Sequence, residues 1–194
     1  MADDLLDSSI GDFVDLLAQE DAPGGGSAAA VTVAMAAGLV VMGAQASKDH
    51  WAEAGGAIGQ AETFRARVAP LAQADAEVYR DALTILRRRE EVSERYRDQT
   101  LRDALEKSAE IPVRIVEAGT DLACLAALLV ENGNPEVRAD AVVGCLLAEG
   151  GARAAATLVE TNLGATQDDA RVRHVRSLVE IAADASKRAL AAAE

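Results

Sequence analysis

The chain has 194 residues, of which half are hydrophobic and only 3% aromatic, and its formal net charge is −13. This length is enough for one domain with a substantial core, and the alanine-rich composition favours close-packed helices over strands. The negative charge argues against nucleic acid or an anionic membrane as a general partner. We therefore expect a single all-α domain over residues 1–194 that binds neither of them.

Residues that form disulfides, metal sites and targeting signals are few. Cys124 and Cys145 lie in apolar helical surroundings, which predicts buried free thiols and no disulfide. His50 and His174 lie far apart in the chain without the spacing of metal ligands, so no metal site is expected. The acidic amino terminus lacks the charge pattern of a signal peptide, and we expect a cytoplasmic protein.

The first predicted helix begins at Ser9, where Ser9-Ile10-Gly11-Asp12 resembles a capping box with Asp in place of Glu. The segment Asp21-Ala22-Pro23-Gly24-Gly25-Gly26-Ser27 then predicts a glycine turn that leads into a second helix capped by Ser27. A helix start of this kind presents free N–H groups to an anionic or carbonyl-rich ligand. The alternative is a plain turn with a good cap.

Residues 28–46 carry no charge, and the length of this segment nearly matches a membrane span. Its apolar residues are mainly alanine, glycine, valine and methionine, without an aromatic belt or basic flanks. The segment therefore predicts a central helix buried on all sides. Lys48 follows at its carboxyl end, where it either complements the helix dipole or belongs to a site.

A long helical pattern runs from about residue 57 to 97, and Pro70 is expected to kink it. Asp75 occupies the one missing step of its apolar stripe, which is formed by Phe64, Val68, Leu71, Val78, Ala82 and Ile85. A carboxylate in that place needs a partner or a proton, which makes Asp75 a candidate functional residue. The alternative is a local rotation that brings Asp75 to solvent. The charged run over 87–97 predicts a solvated face or a connection.

A further long helix is predicted over 101–131, with a kink at Pro112. Asn132-Gly133-Asn134-Pro135 then supplies a glycine stop, an Asn N-cap and a proline at the first helical position. The helix that follows extends to about Leu163 and carries Asp140 in its first turns, placed either to favour the helix dipole or to meet a ligand. After a loop over 164–168, a last helix is predicted to end near residue 193. The chain is thus expected to form an up-and-down bundle of about six helices.

The order of these motifs resembles the cyclodeaminase/cyclohydrolase family, which includes the C-terminal domain of formiminotransferase-cyclodeaminase and stand-alone methenyltetrahydrofolate cyclohydrolases. The Pro-Gly-Gly-Gly-Ser element is the most specific part of the resemblance. The chain departs from the family pattern at Ala139, at Arg87 and in the segment after the central helix, where Lys48 is the single lysine. The matching segments are Phe13-Val14-Asp15-Leu16-Leu17, Ala22 to Ala30, Asp75-Ala76-Glu77-Val78-Tyr79, Ile111-Pro112, Gly133-Asn134-Pro135 through Asp140, and Asn162-Leu163.

This resemblance implies an all-helical homodimer that binds a tetrahydrofolate derivative without a metal or another cofactor. It implies hydrolysis of 5,10-methenyltetrahydrofolate to 10-formyltetrahydrofolate, which the chain length favours over cyclodeamination of 5-formiminotetrahydrofolate with release of ammonia. A non-catalytic helical dimer that has kept the scaffold is the third possibility.

The same resemblance suggests roles for individual residues. Asp75 is expected to act as general acid or base. Asp140 is expected to orient water or hold the pterin edge, and Lys48 to steer the glutamate tail or assist proton transfer. The residues expected to bind substrate are Pro23, Gly24, Gly25, Gly26, Ser27 and Asn134.

Overall fold

A computed structural model describes residues 4–19, 23–87, 103, 106, 108–163 and 168–194. Within these ranges the regular structure is entirely helical, which confirms the predicted all-α bundle. Short 3-10 helices cover Leu5–Asp7 and Pro135–Val137. The α-helices are α1 (Ile10–Leu17), α2 (Gly25–Ala46), α3 (Ala54–Val68), α4 (Leu71–Arg87), α5 (Glu110–Asn132), α6 (Arg138–Leu163) and α7 (Ala170–Ala192).

Neither of the two prolines expected to kink long helices lies in the interior of a described helix. Pro70 lies in the turn between α3 and α4, and Pro112 lies in the first turn of α5. A proline in these places removes no hydrogen bond from a helix interior. The charged run beyond Arg87 lies outside the described residues, as do Asp21, Ala22 and residues 164–167.

The start of α1 and the free state of both cysteines agree with the sequence pattern. Ser9 caps α1, with its hydroxyl oxygen 3.1 Å from the backbone nitrogen of Asp12 and 2.6 Å from Oδ2 of the same residue. The first bond is the predicted N-cap, whereas the second joins the two side chains and replaces the backbone bond that would complete a capping box. Cys145 is buried and Cys124 half-buried, and both thiols are free.

Helix α2 is the centre of the bundle and packs against α3, α4, α5 and α6. Small residues set its contact with α6. A Cβ atom built at Gly144 would lie 3.5 Å from the carbonyl oxygen of Ala36, and one built at Gly151 would lie 3.2 Å from that of Ala29. Because the later residue of α6 meets the earlier residue of α2, the two helices run antiparallel. The start of α6 therefore lies beside the end of α2.

The prediction that α2 is buried on all sides is wrong for the single chain. Met35 is 51% and Met42 37% exposed, and a Cβ atom built at Gly38 would meet nothing within 4 Å. The four neighbouring helices cover only the rest of the α2 circumference. We refer to Met35, Gly38 and Met42 as the open face of α2.

An apolar groove adjoins this open face. Helix α1 buries none of its residues, and its apolar side chains, including Ile10 and Val14, line a groove of about 370 Å³ with Val31 and Met35 of α2. Ile10 is 82% exposed. The open face of α2 is therefore continuous with an uncharged groove between α2 and α1.

Two helical segments, Gly25–Ala46 and Pro135–Leu163, are long and apolar enough to cross a membrane by length and composition. Within the most apolar 18 residues of each segment, 50% are buried inside the bundle in the first segment and 44% in the second. The core helices of a folded domain meet the same criteria, so this observation is weak evidence for a membrane span.

Candidate functional site

Asp75 on α4 points toward the amino end of α2, where Ser27 donates two hydrogen bonds to its carboxylate. One comes from the Ser27 hydroxyl, whose Oγ lies 3.1 Å from Oδ2 of Asp75, and the other from the backbone N–H of Ser27. Burial raises the pKa of Asp75 above its usual value, and the two hydrogen bonds oppose this effect without cancelling it. The alternative in which Asp75 rotates to solvent does not occur.

Gly26 makes this approach possible. A Cβ atom built at Gly26 would lie 2.6 Å from Oδ2 of Asp75 and would overlap the rest of the carboxylate. None of the described glycines has a positive φ. The glycine at this position therefore serves close packing of a side chain against the main chain, and not a left-handed turn.

The prediction that Ser27 caps α2 is wrong. Gly24 is the N-cap and has no side-chain capping bond, so α2 begins before Ser27, which is its third residue. The Ser27 hydroxyl binds across to α4 instead, with Oγ 2.8 Å from the carbonyl oxygen of Ala72. Asp75 accepts the Ser27 amide that a capping side chain of α2 would otherwise take. We refer to Gly26, Ser27, Ala72 and Asp75 as the Asp75 cluster.

The remaining residues of the glycine motif lie directly before this cluster. Pro23 and Gly24 are half-buried and Gly25 is exposed. The first amides of a helix have no acceptor within the helix, so those of Gly25 and Gly26 are donors at the helix start. The Cβ position of Gly25 is 3.8 Å from the Leu158 side chain, which brings the end of α6 to this side of the molecule.

Asn134, Lys48 and Asp140 lie at the other end of α2. Asn134 is the predicted N-cap, with Oδ1 accepting from the backbone N–H of Glu136 at 3.0 Å. Its own N–H donates to the Ser47 hydroxyl at 2.9 Å, which ties the start of α6 to the end of α2. Lys48 is exposed in the turn after α2, and Asp140 is exposed in the first turn of α6.

The predicted site residues therefore form two groups in one chain. Helix α2 has 22 residues, and at about 1.5 Å per residue it separates its two ends by about 33 Å. Pro23 to Ser27 and Asp75 lie at the amino end, whereas Lys48, Asn134 and Asp140 lie at the carboxyl end. A single chain does not bring Asp75 together with Lys48 or Asp140.

Sequence reasoning missed one polar group at each end of α2. The carbonyl oxygen of Ala72 competes for the Ser27 hydroxyl, and no residue pattern signals a main-chain acceptor. Arg138 stands between Asn134 and Asp140, and its Nε is buried without a hydrogen-bond partner within the described part of the chain. A cation directly after an Asn-capped helical turn was a signal that could have been noticed. Across the described ranges, no three His, Cys, Asp or Glu side chains group as metal ligands do.

Comparison with known proteins relates the chain to one family. Residues 9–181 match the family model described as formiminotransferase-cyclodeaminase. The fold is similar to a crystal structure of formiminotetrahydrofolate cyclodeaminase from Thermotoga maritima, with a TM-score of 0.81 and 22% sequence identity, over 97% of this chain and 96% of that one. No curated protein sequence matches the chain.

Proposed function

The chain belongs to the formiminotransferase-cyclodeaminase family, and on that premise we propose that it converts 5-formiminotetrahydrofolate to 5,10-methenyltetrahydrofolate with release of ammonia. The observation that carries the proposal is the Asp75 cluster, which holds a half-buried carboxyl group of raised pKa beside a helix start. Gly26 and Ser27 of this cluster belong to the most specific part of the family resemblance, and Asp75 belongs to another matching segment.

The reaction needs a group that takes up a proton and returns it. N10 of the folate attacks the protonated formimino carbon, which gives a tetrahedral carbon bound to N5, N10 and an amino group. N10 then loses its proton, the amino group gains one, and ammonia leaves with the electrons of the broken C–N bond. The product retains one positive charge over N5, the carbon and N10. Protons move and no oxidation state changes, so the proposal includes no redox cofactor.

Asp75 has the properties that this proton transfer requires. As a carboxylate it can accept the proton from N10, and as a carboxylic acid it can give that proton to the departing amine. A raised pKa brings the two forms of Asp75 closer in free energy near neutral pH, which favours transfer in both directions. The amides of Gly25 and Gly26 would stabilise a ligand carbonyl or carboxylate at the same helix start.

Hydrolysis of 5,10-methenyltetrahydrofolate is the second candidate function. It passes through the same kind of tetrahedral carbon between two nitrogens, with water as the nucleophile, and Asp75 would take the proton from water. The description of the matching family and that of the Thermotoga maritima protein both name the cyclodeaminase. These two descriptions are the reason that the deaminase comes first in this proposal.

We also propose that two chains associate through the open face of α2. Gly38 lies close to midway along the chain between Ser27 and Lys48. A two-fold axis near Gly38 would place α2 antiparallel to its copy, with Lys48 of the partner subunit beside Ser27. The Asp75 cluster would then meet the second group of predicted site residues, where Lys48 and Arg138 can bind the anionic glutamate tail.

Two assays on the purified chain test the reaction. With 5-formiminotetrahydrofolate, we expect ammonia and the methenyl chromophore to appear together, faster than in buffer. With 5,10-methenyltetrahydrofolate alone, accelerated loss of the chromophore would select the hydrolase instead. No acceleration in either assay would overturn the enzymatic proposal and leave the non-catalytic dimer.

Substitution then tests the role of Asp75. We expect Asp75→Asn to lower kcat by about 100-fold or more, in the range of general acid–base catalysis, while the protein still binds tetrahydrofolate. Asp121→Asn is the matched control, because burial also raises the pKa of Asp121, which lies on α5 beside Glu117 and Arg67. Normal turnover by Asp75→Asn would remove Asp75 from the mechanism.

A further inference from the structure

The Ser27 hydroxyl has two acceptors on the same helix. It is fully buried, with Oγ 2.8 Å from the carbonyl oxygen of Ala72 and 3.1 Å from Oδ2 of Asp75. A hydroxyl group has one proton to donate and two lone pairs that accept. Ser27 can therefore make one of these bonds at full strength as a donor, while its oxygen remains free to accept another.

The better acceptor depends on the charge of Asp75. An ionised carboxylate attracts the Ser27 proton more strongly than a carbonyl does, because its hydrogen bonds are charge-assisted. Ala72 then keeps the acceptor role that its place in α4 gives it, toward the amide four residues later. When Asp75 is protonated, its own O–H can donate to Oγ of Ser27, and the Ser27 proton turns to Ala72. The buried hydroxyl is satisfied in both states.

We propose that Ser27 is a positioning residue that holds the Asp75 carboxyl group in one place in both of its protonation states. This inference rests on the proposed function, in which one carboxyl group accepts and returns a proton within a turnover. Ser27 does not touch the substrate in this role, because its side chain is buried between α2 and α4. Its hydroxyl reverses its hydrogen bonds each time that Asp75 changes charge.

The surroundings leave Ser27 as the main polar partner of Asp75. Helix α2 has no charged residue. Burial and the two bonds from Ser27 are the causes of the altered pKa of Asp75, and no charged group is among them. The other described elements that pack against α4 carry Asp7 in the first 3-10 helix, Glu62, Arg65 and Arg67 in α3, and Glu110, Arg114, Glu117, Asp121 and Glu131 in α5.

Gly26 limits the ways in which the carboxyl group can move. The carboxylate fills the space beside the Gly26 main chain, so its rotation would open a cavity there or press it against the backbone. Since packing fixes the position of Asp75, the partner that adapts to its charge must be a group that can turn in place. A serine hydroxyl does this by rotation about one bond.

The test is a titration of the Asp75 carboxyl carbon by 13C NMR in the substrate-free protein, with Asp75→Asn used to assign the signal. In Ser27→Ala, the ionised form loses a charge-assisted hydrogen bond and the protonated form a weaker neutral one, so the pKa of Asp75 should rise. An unchanged pKa would show that the hydroxyl serves only Ala72, and would overturn the inference. This titration requires no turnover, so its outcome is independent of the proposed reaction.

Kinetics gives the second readout. We expect Ser27→Ala to lower kcat about tenfold, with KM changed less than about twofold, and to move the acidic limb of the pH–rate profile to higher pH. Ser27→Cys, whose thiol is close in size but a weak donor, should also lower kcat and move the acidic limb to higher pH. This variant replaces Ser27→Ala if the alanine variant fails to fold. Loss of thermal stability with an unchanged profile in both variants would mean that Ser27 has only a structural role.

Discussion

The carboxylate of Asp75 lies where a Cβ atom of residue 26 would have to be. This relationship joins the most specific sequence motif of the chain to the one carboxyl group that interrupts an apolar stripe. Asp75 takes the amide of Ser27 that α2 leaves without a partner, and burial in that place raises the pKa of Asp75. The packing of Asp75 against the amino end of α2 thus both gives the Ser27 amide an acceptor and raises the pKa of Asp75.

Gly26→Ala should break the close contact between residue 26 and the Asp75 carboxyl group. The added methyl group must displace the Asp75 carboxyl group or push α4 away, and overpacking of this kind costs about 1–3 kcal/mol of stability. We expect thermal unfolding to show this loss and the ammonia-release assay to show a fall in kcat of about 100-fold or more.

Gly55→Ala is the matched control for this substitution. It also adds one methyl group to a helix, but a Cβ atom at Gly55 meets nothing within 4 Å. Activity should stay the same, and stability should not fall, because alanine is the better helix former. Equal activity in the two alanine variants would contradict the role given to Gly26.

The raised pKa of Asp75 predicts a pH dependence of stability. The folded protein binds this proton more tightly than the unfolded chain does, whose carboxyl groups titrate near the ordinary value of 3.8. The free energy of unfolding contributed by Asp75 therefore falls as the pH rises from that value through the folded pKa. Asp75→Asn removes this dependence and retains the shape of the side chain.

Urea unfolding of the wild type and Asp75→Asn at several pH values between 3 and 8 measures this effect, since all other titrating groups are common to both. We expect the stability of the variant relative to the wild type to increase with pH across the window. A difference that stays constant, or that decreases with pH, would show that the pKa of Asp75 is not raised.

The helices were predictable because their signals are local. The capping sequence at Ser9, the Asn-Pro pair at Asn134 and the uncharged segment of α2 each depend on a few neighbouring residues, and the structure confirms the helix starts that the first two predict. The N-cap at Ser27 was wrong because a residue 48 positions away decides it. Asp75 lies on α4 and accepts the Ser27 amide of α2, and a rule based on neighbouring residues cannot predict such a contact between helices.

The division of the predicted site between two ends of α2 was also beyond the sequence. Asp75, Lys48 and Asp140 were grouped because each residue type fits folate chemistry, but residue type does not give distance. The antiparallel contact of α6 with α2, fixed by Gly144 and Gly151, is what places Asp140 far from Asp75. The residue pattern of one sequence does not give the register of α6 against α2.

Ser47 should contribute to stability and not to the chemistry of the Asp75 cluster. Its buried hydroxyl donates to the carbonyl oxygen of Gly43 at 2.7 Å and accepts the N–H of Asn134 at 2.9 Å. Ser47→Ala leaves the Asn134 amide without that acceptor, which should lower the free energy of unfolding by about 1–3 kcal/mol.

Thr63→Ala provides the comparison, because the Thr63 hydroxyl also bonds a carbonyl oxygen of its own helix, that of Gly59 at 2.8 Å, but is exposed. Its loss should change stability by less than about 0.5 kcal/mol. Urea unfolding of the two variants gives both values. Similar losses in the two would mean that the contact between the end of α2 and Asn134 does not contribute to the stability of the fold.

The open face of α2 predicts a dimer that one charge can disrupt. On a chain of net charge −13, two copies repel each other over most of their surface, and an uncharged face is where they can approach. Met35→Glu places a carboxylate on that face, about one helical turn from the proposed two-fold axis near Gly38. We expect light scattering to show a dimer for the wild type and a monomer for this variant, with loss of ammonia release.

Ile181→Glu is the control for the dimer. Ile181 is 47% exposed, against 51% for Met35, and it lies on α7, which packs against α5 and α6. This variant should remain dimeric and active. If Met35→Glu is a monomer that still turns over, the dimer exists but Lys48 of the partner subunit has no part in the site. If the wild type is itself a monomer, the association through α2 is wrong.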